Sequence, residues 1–240
     1  MKSLNEFKQW FETAENDKAE QLPFVWEIMK SPYIEYHYSL ITDKKISDGF
    51  RRNLISRFDE HGDEGETFLL SKLDNNEDTA SHAEMIYLLG KLGNRHNSKL
   101  KNKTLDYARK LALSPDIYTR DRAIIVLGWI GDINDIPLLT DRLLNDPNNY
   151  CRAWAASSFM QMWFRNQSSE LVDKALPYLQ LSIKQETDYF ALVTMIEVVQ
   201  ELTQKRFGLT RKSIDNIEKE KIDSAKLKVE RFFNKLYGNK

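Results

Sequence analysis

The chain has 240 residues, of which 41% are hydrophobic and 30% charged, and its formal net charge is −1. This composition is too apolar for an intrinsically disordered chain, and its nine glycines and six prolines do not cluster into a linker. Charge is unevenly spread: residues 205–240 hold eleven Lys and Arg against five Asp and Glu, a net of +6, which leaves −7 on residues 1–204. The single cysteine, Cys151, excludes an intrachain disulfide and a cysteine-based zinc site.

The N-terminal ten residues lack the apolar core of a signal peptide. No segment reaches the roughly 18 consecutive apolar residues that a membrane-spanning helix needs. We therefore expect a cytoplasmic protein that does not enter a membrane.

Apolar side chains recur every three or four residues through much of the first 63 residues, which is typical of amphipathic helices. Three helices are predicted there: one through residues 4–11, one starting near Pro23, and one over residues 46–58 that ends near Gly62. Pro32 and the tyrosines that follow it predict a break between the last two helices.

Four predicted helix pairs follow, at residues 68–73 with 80–92, 100–113 with 118–130, 136–144 with 151–163, and 171–183 with 189–202. An aspartate precedes the second helix of each pair, where its carboxylate can cap the helix N-terminus. These residues are Asp74, Asp116, Asp146 and Asp188. Residues 213–236 predict one or two basic amphipathic helices, and no strand is predicted because no period-two pattern exceeds four residues.

The clearest motif is Arg120-Asp-Arg-Ala-Ile-Ile-Val-Leu-Gly-Trp-Ile-Gly-Asp132, which Pro137 and the pair Asp146-Pro147 follow. Fainter copies flank it. Gly90 lies 38 residues before Gly128 in a similar Leu-Gly-Lys-Leu-Gly segment, and Arg152 lies 32 residues after Arg120 in a similar Arg-x-x-Ala frame. A period of this length indicates a helical repeat array.

These residues resemble HEAT repeats of bacterial type, over roughly residues 64–205. The resemblance implies an all-α fold, a right-handed α-solenoid of stacked antiparallel helix pairs. We expect a single solenoid domain with divergent N-terminal helices in residues 1–63, HEAT-like repeats in 64–205 and basic capping helices in 206–240. The HEAT resemblance also implies that Arg120 and Arg152 form hydrogen bonds with carboxylates or carbonyl oxygens of the adjoining unit.

A search for local catalytic and cofactor motifs is empty, so no catalytic residue, metal site or cofactor is predicted. None of the four histidines lies three or four residues from another; His82 is expected to pack at a helix start and His61 to lie in a loop. Glu60 with Glu64, and Glu197 with Glu201, have helical spacing that favours a solvated face over an acid–base pair.

The sharpest departure from the repeat pattern is at Ile125 and Trp129, where HEAT repeats mostly carry Glu or Lys on the concave side. Their exposure would create an apolar patch with a tryptophan, the residue most common at binding hot spots. We define the contact strip as this pair and the equivalent positions before and after it: Tyr87, Lys91, Ile125, Trp129, Ser157 and Gln161. The alternative is that a neighbouring helix buries Trp129; the other four tryptophans, Trp10, Trp26, Trp154 and Trp163, are predicted to be core.

Acidic residues are concentrated between positions 59 and 78. Carboxylates there and on the last predicted repeat could attract a basic partner, since opposite charge speeds encounter. The predicted contacts of this kind are Asp59, Glu60, Asp63, Glu64, Glu197 and Glu201.

The first functional hypothesis is a non-catalytic protein that binds and blocks a basic protein partner. In size and acidity the chain is similar to some HEAT-like immunity proteins that neutralise a toxin, often a nuclease, in bacterial competition. The alternative is a HEAT-like DNA glycosylase, to which Trp129 and Asp132 invite comparison, but a net charge of −7 on residues 1–204 disfavours nucleic acid as a ligand. A third possibility, a chaperone or lyase-type subunit like those that attach bilin pigments, is selected by nothing in the sequence.

Overall fold

The computed structural model describes residues 2–75, 81–95 and 99–238, with only the backbone of Arg95. Within these ranges the chain is helical and contains no strand, which confirms the predicted all-α class. None of the described helices is both long and apolar enough to cross a membrane. The chain divides into two compact units, residues 1–104 and residues 105–240. The continuity of one solenoid domain through both units stays a prediction.

Among its described residues the first unit contains six α-helices, and α7 crosses the boundary between the units. Their bounds are α1 Leu4–Asn16, α2 Lys18–Ile28, α3 Ile34–Thr42, α4 Asp48–Arg57, α5 Gly62–Asn75, α6 His82–Arg95 and α7 Lys101–Leu111. The side chains of Ser3, Asp17 and Ser47 cap α1, α2 and α4 by accepting hydrogen bonds from backbone N–H groups. As predicted, His82 lies at a helix start; His96 is outside the described residues.

Three sequence predictions in this unit are wrong. Pro23 lies in the interior of α2 rather than at its start. The segment after Pro32 is the helix α3 rather than a break, because that helix buries His37, Tyr38 and two aliphatic side chains, and tertiary burial outweighs the weak helix propensity of tyrosine. Asp74 lies inside α5 instead of capping the next helix, and its carboxylate pairs with the Lys103 ammonium group at 2.5 Å.

Aromatic rings form the core between α1, α2 and α4. Phe24 is fully buried, and four ring centroids lie 5.5–6.0 Å from its own, in the range of favourable aromatic pairs. These rings belong to Phe7, Trp10, Phe11 and Phe50.

A hydrogen-bonded pair of histidines, of which His37 is buried and His61 half-buried, joins α3 to the 3-10 turn Phe58–His61. His37 Nε2 lies 3.1 Å from the carbonyl oxygen of Leu54, which can only accept, so His37 Nε2 carries the proton. The neutral ring then accepts at Nδ1, 2.8 Å from His61 Nε2, which must donate. Burial lowers the pKa of His37 to about 3, with a further contribution from His61, and burial lowers the pKa of His61 to about 4. His61 is thus a packed partner of His37 and not the loop residue that the sequence predicted.

The second unit has two layers of helices. The bounds of its helices are α8 Ile117–Ile130, α9 Ile136–Asn145, α10 Asn149–Asn166, α11 Ser169–Gln185, α12 Tyr189–Thr203, α13 Arg211–Asp215 and α14 Lys219–Tyr237. In the second-helix layer α10 packs between α8 and α12; in the first-helix layer α9 packs against α11. The last helix, α14, packs against α11 and α12. Helix α10 also packs against α9, and α12 against α11, so the predicted pairs over residues 136–202 are confirmed. The helices predicted at 100–113 and 118–130 and the basic helices after residue 213 are present as well, while the pairing of α7 with α8 stays a prediction.

The glycine of the repeat motif lets α8 and α10 approach each other. A Cβ atom added to Gly128 would lie 2.7 Å from Ser158 Oγ and 2.9 Å from Ser158 Cα, closer than real contacts allow. Ser158 Oγ also donates to the carbonyl oxygen of Ile124 at 3.0 Å. A small residue on each helix thus fixes their packing at this point.

Arg120 joins successive repeat units, as the resemblance implied. Its guanidinium makes a bidentate pair with the Asp146 carboxylate, at 2.7 and 3.0 Å, and donates to the Ser114 carbonyl oxygen at 2.7 Å. Arg120 and Asp146 are 5% and 2% exposed. Asp146 is therefore a buried ion-pair partner, and the predicted cap of α10 is wrong at this position because Asn148 caps that helix. Asp116 and Asp188 cap α8 and α12 as predicted.

Arg152 repeats the same arrangement one unit later. Its guanidinium makes a bidentate pair with Glu186, at 2.7 and 2.8 Å. It also donates to the backbone carbonyl oxygen of Asp146 at 2.9 Å. Asp146 therefore bonds Arg120 through its carboxylate and Arg152 through its backbone, so the two arginines form one continuous ladder.

The four tryptophans predicted as core residues are not buried. Trp26 is 45% exposed, with the Arg57 guanidinium 4.5 Å from its ring centroid. Trp10, Trp154 and Trp163 are half-buried, and the Trp10 indole N–H donates to Glu20 at 2.8 Å. A large ring with one polar edge covers a core while part of it stays in contact with water.

The Gly128–Ser158 contact generates the first prediction. We expect Gly128→Ala to lower the free energy of unfolding by about 1–3 kcal/mol, because overpacking outweighs the gain in helix propensity. Gly49→Ala is the control: no heavy atom lies within 4 Å of its Cβ position, so the stability of that variant should be unchanged or higher by up to about 1 kcal/mol. Urea denaturation of both variants measures the difference, and equal effects would contradict the close contact.

The histidine pair generates a second prediction, on pH. In the unfolded chain each histidine titrates near 6.5, and in the folded chain near 3 or 4, so lowering the pH from 6.5 protonates only the unfolded chain. The free energy of unfolding that the two neutral histidines contribute is fully present above about pH 6.5. It falls with decreasing pH, by at most about 1.4 kcal/mol per pH unit for each histidine. Denaturant midpoints measured at about pH 7 and about pH 5 test this, since few carboxyl groups titrate in that window.

The control is His61→Gln, whose amide can donate to His37 Nδ1 without titrating. This variant should lose less stability than the wild type between the two pH values. An identical midpoint at both pH values for the wild type would contradict the pKa assignment.

Candidate functional site

A groove of about 390 Å³ opens on the second-helix face, between α10, α12 and α13. Helix α10 contributes Trp154 and Ser157, and α12 contributes Phe190 and Glu197. Ile214 and Ile217 close the groove from the side of α13. We call it the α10–α12 groove.

One wall of the α10–α12 groove is aromatic. Trp154 and Phe190 line it, and both are half-buried. Tyr150 is 52% exposed, and the centroid of its ring lies 4.9 Å from the centroid of the Phe190 ring. The three rings make an accessible apolar surface of the kind that anchors binding partners.

A carboxylate lies among these apolar side chains. Glu197 is half-buried, and burial raises its pKa, because removing water disfavours the charged form. The nearest cation is Arg211 of α13, whose guanidinium is 3.7 Å from Glu197 and 3.1 Å from Asp215. The Arg211 side chain is 78% exposed, so this ion pair is weak and the charge of Glu197 is only partly compensated.

Ile217 holds the turn between α13 and α14 in an unusual backbone conformation. Its φ is +47°, a region that β-branched residues rarely adopt. The turn is fixed by hydrogen bonds from Ile217 N–H to the Ile214 carbonyl and from Glu218 N–H to the Ser213 carbonyl. This conformation places Ile217 in the wall of the α10–α12 groove. Strain of this kind is often kept where function needs a particular side chain.

The groove brings two predicted contact residues together, Ser157 of the contact strip and Glu197. Ser157 is buried, at 9% exposure. Gln161, one turn further along α10, and Glu201, one turn further along α12, are half-buried and do not line the groove. Glu201 accepts a hydrogen bond from Arg206 at 3.1 Å.

Ile125 and Trp129 lie on α8, in the same layer. Both are half-buried, so the structure supports neither full exposure nor burial as core. The hydrogen bond from Ser158 to the Ile124 carbonyl places this part of α8 against the middle of α10. Their exposed portions are available for contact, and their role as a hot spot stays a prediction.

The earliest part of the contact strip, Tyr87 and Lys91, belongs to the first unit. Both are half-buried on α6. Lys91 Nζ donates to the Ile55 carbonyl oxygen at 3.0 Å and lies 3.8 Å from Asp59 Oδ1. Lys91 is therefore bonded within its own unit.

The acidic cluster of the first unit is only partly at the surface. Asp59 is 4% exposed, so the prediction of an accessible contact is corrected: burial beside Lys91 makes it an internal ion-pair partner. Glu60 is exposed and lies 4.0 Å from Arg57. Asp63 and Glu64 are exposed in the first turn of α5, where negative charge stabilises a helix. Residues 76–78 of the cluster lie outside the described residues.

Sequence reasoning missed the aromatic wall, although one signal was available. Trp154 lies two residues after Arg152, and the equivalent residue two after Arg120 is the polar, half-buried Arg122. This equivalence predicts that Trp154 faces outward. Helical spacing places it on the same face of the helix as Tyr150, Ser157 and Gln161. Nothing in the repeat pattern indicates that α13 closes the groove.

The titratable groups do not assemble a metal centre in the part of the chain that the structure covers: no group of three or more His, Cys, Asp or Glu side chains there could hold a metal ion. The lone Cys151 is buried, and burial together with the charge of Asp146 raises the pKa of its thiol to about 12. That thiol stays protonated near neutral pH, which makes it a poor nucleophile.

Comparison with protein-family models finds HEAT repeats over residues 66–160. The match contains the Arg120 motif, the equivalent segment around Gly90 and the start of the next copy at Arg152. It confirms the HEAT-repeat resemblance over this part of the chain. Comparisons with curated proteins and with solved structures give no match.

The environment of Glu197 generates a third prediction. Because burial raises the pKa of Glu197, its ionised side chain is less favourable in the folded chain than in the unfolded chain, and this lowers the free energy of unfolding near neutral pH. Glu197→Gln should therefore leave the melting temperature at pH 7 unchanged or raise it by up to about 3 °C. The matched control is Glu201→Gln, which weakens the charge-assisted bond from Arg206 and should lower the melting temperature or leave it unchanged. A clear loss of stability in Glu197→Gln alone would show that this carboxylate serves the fold.

Proposed function

We propose that this protein is a non-catalytic interaction protein that binds a basic protein partner through its second-helix face. The observation that carries the proposal is the half-buried carboxylate of Glu197 in a groove walled by aromatic and aliphatic side chains. The HEAT repeats of residues 66–160 support it, because stacked helical repeats offer extended surfaces that commonly bind other macromolecules.

Arg211 indicates which chemistry the α10–α12 groove accepts. A guanidinium of the chain itself lies 3.7 Å from Glu197, on a side chain that is 78% exposed. An exposed ion pair contributes little stability, so a partner's arginine or lysine could replace Arg211 at small cost. The partner's cation would then gain a carboxylate whose surroundings exclude water, where the interaction is stronger than at an open surface.

The aromatic wall supplies the apolar part of the proposed contact. Interfaces draw most of their binding free energy from a few central aromatic or arginine side chains. In this proposal Trp154, with Phe190 beside it, is the central aromatic contact, and the exposed Tyr150 extends the surface. The exposed portions of Ile125 and Trp129 would continue it onto α8.

A more specific form of the proposal is a cytoplasmic immunity protein that neutralises a bacterial toxin, for which a nuclease is the best candidate. The net charge of −7 on residues 1–204 suits a basic target, since carboxylates can imitate the phosphates that a nuclease binds. The mechanism would be occlusion: the protein covers the toxin's active surface and changes no covalent bond.

The test is affinity capture from lysate of the source cells with the full-length protein as bait. We expect wild type to retain one basic protein in stoichiometric amount, and Trp154→Ala to weaken that complex by about 2 kcal/mol, roughly 30-fold. Glu197→Gln should weaken it and reduce its salt dependence. Leu227→Ala is the control, because Leu227 is 54% exposed on α14, away from the groove.

Two outcomes would contradict the proposal. Nucleic acid retained in place of protein would exclude the basic-partner reading and require a DNA glycosylase assay. A protein retained equally by all variants with unchanged circular dichroism would exclude the α10–α12 groove as the contact. Expression of the captured protein alone then tests the immunity proposal: it should arrest growth, and co-expression of wild type should restore it.

A further inference from the structure

The α10–α12 groove contains a guanidinium of the chain itself, that of Arg211. The charged residues of its lining are Glu197, Arg211 and Asp215. Two carboxylates and one guanidinium give this lining a net charge of −1. Arg211 therefore compensates one of the two carboxylates, and one further positive charge would neutralise the groove.

Arg211 is shared unequally between the two carboxylates. Its Nε atom lies 3.1 Å from Asp215 Oδ1 and 3.3 Å from Asp215 Oδ2, within α13. Its Nη1 atom lies 3.7 Å from Glu197 Oε1, too far for a hydrogen bond. A guanidinium presents five N–H donors in a planar fork, so it can leave Glu197 and stay bonded to Asp215.

The backbone that carries Arg211 is held in place. Before α13, the buried Phe207 donates its N–H to Gln200 Oε1 at 2.9 Å. Ser213 is fully buried, and its N–H donates to the capping hydroxyl of Thr210 at 3.2 Å. The movable part is therefore the Arg211 side chain, which is 78% exposed, and α13 remains a fixed wall of the groove.

The position of Arg211 benefits the free protein. Burial raises the pKa of Glu197, and the charge of Arg211 opposes this shift, which makes the half-buried carboxylate less costly to the fold. The same contact acts against weak ligands, because an incoming cation must bind Glu197 better than Arg211 does. A cation that also contacts the aromatic wall meets that condition.

We infer that Arg211 is a displaceable internal occupant of the α10–α12 groove: a guanidinium of the partner takes its place at Glu197, and Asp215 retains it. This inference rests on the function proposed above and adds the regulation of that site. Occupancy of Glu197 by Arg211 lowers the apparent affinity for the partner, since only the unoccupied fraction of molecules is competent to bind. Because the contact is exposed, this reduction is about two- to fivefold.

The test is titration of isotope-labelled full-length protein with acetyl-arginine-amide, a minimal guanidinium probe. NMR follows the carboxyl carbon of Glu197 and the methyl groups of Ile214 and Ile217, which line the groove. We expect saturable shifts at these three residues. Arg211→Gln removes the competing guanidinium and should bind the probe about two- to fivefold more tightly than wild type.

Asp215→Asn tests the carboxylate that retains Arg211. Without it, the guanidinium has only Glu197 as a partner, so the probe should bind about twofold more weakly than to wild type, or weaker still. In the Arg211→Gln background no guanidinium competes, and Asp215→Asn should have a smaller effect. An equal loss in both backgrounds would show that Asp215 acts only through its charge, and would overturn its assigned role.

The matched control is Arg206→Gln, which removes the same charge from an exposed side chain that bonds Glu201 and does not line the groove. It should change the dissociation constant of the probe less than Arg211→Gln does. The inference is overturned if the probe shifts none of the three residues, if Arg211→Gln binds it no more tightly than wild type, or if Arg206→Gln has the same effect. The proposed function fails separately, if the capture experiment retains no basic protein.

Discussion

The arrangement of the second unit depends on the arginine–carboxylate ladder. A guanidinium as buried as that of Arg120 is tolerable only if its donors are satisfied, and Asp146 and the carbonyl of Ser114 satisfy them. Each rung joins the start of a second helix to the loop between the two helices of the next pair. The second helices are therefore held at fixed spacing, and the face that they form is preorganised in the free protein. A close-packed contact at Gly128 fixes the same spacing from inside the layer.

The sequence predicted the repeat region well because there local and tertiary signals agree. The helices from α8 to α12 begin and end close to the predicted residues, since the repeat motif specifies both the helix ends and the packing glycine. Helix α3 was missed because its tyrosines have weak helix propensity and only burial stabilises it. Asp146 was taken for a cap because its role as the partner of Arg120 is set 26 residues away.

The candidate site was predictable to the extent that the repeat builds it. Ser157 and Glu197 follow from helical spacing within neighbouring repeats, and the structure places both in one groove. The strained Ile217 and the cation Arg211 come from outside the repeat and fold back onto it, a contact that no periodic pattern encodes. Tryptophan burial was overestimated throughout, because a solenoid unit is only two helices deep and leaves large rings at an edge.

Asp146 has a consequence for how such a chain can change in evolution. Its carboxylate serves Arg120 and its backbone carbonyl serves Arg152, so the distances along the chain among these three residues are fixed by geometry. Surface loops usually tolerate insertions and deletions, but one added residue between Asp146 and Arg152 would separate the Arg152 guanidinium from the Asp146 carbonyl oxygen and interrupt the ladder there. Lengthening of the array is therefore compatible with duplication of whole helix pairs, which copies an arginine and its acceptor together, and incompatible with gradual growth of this loop.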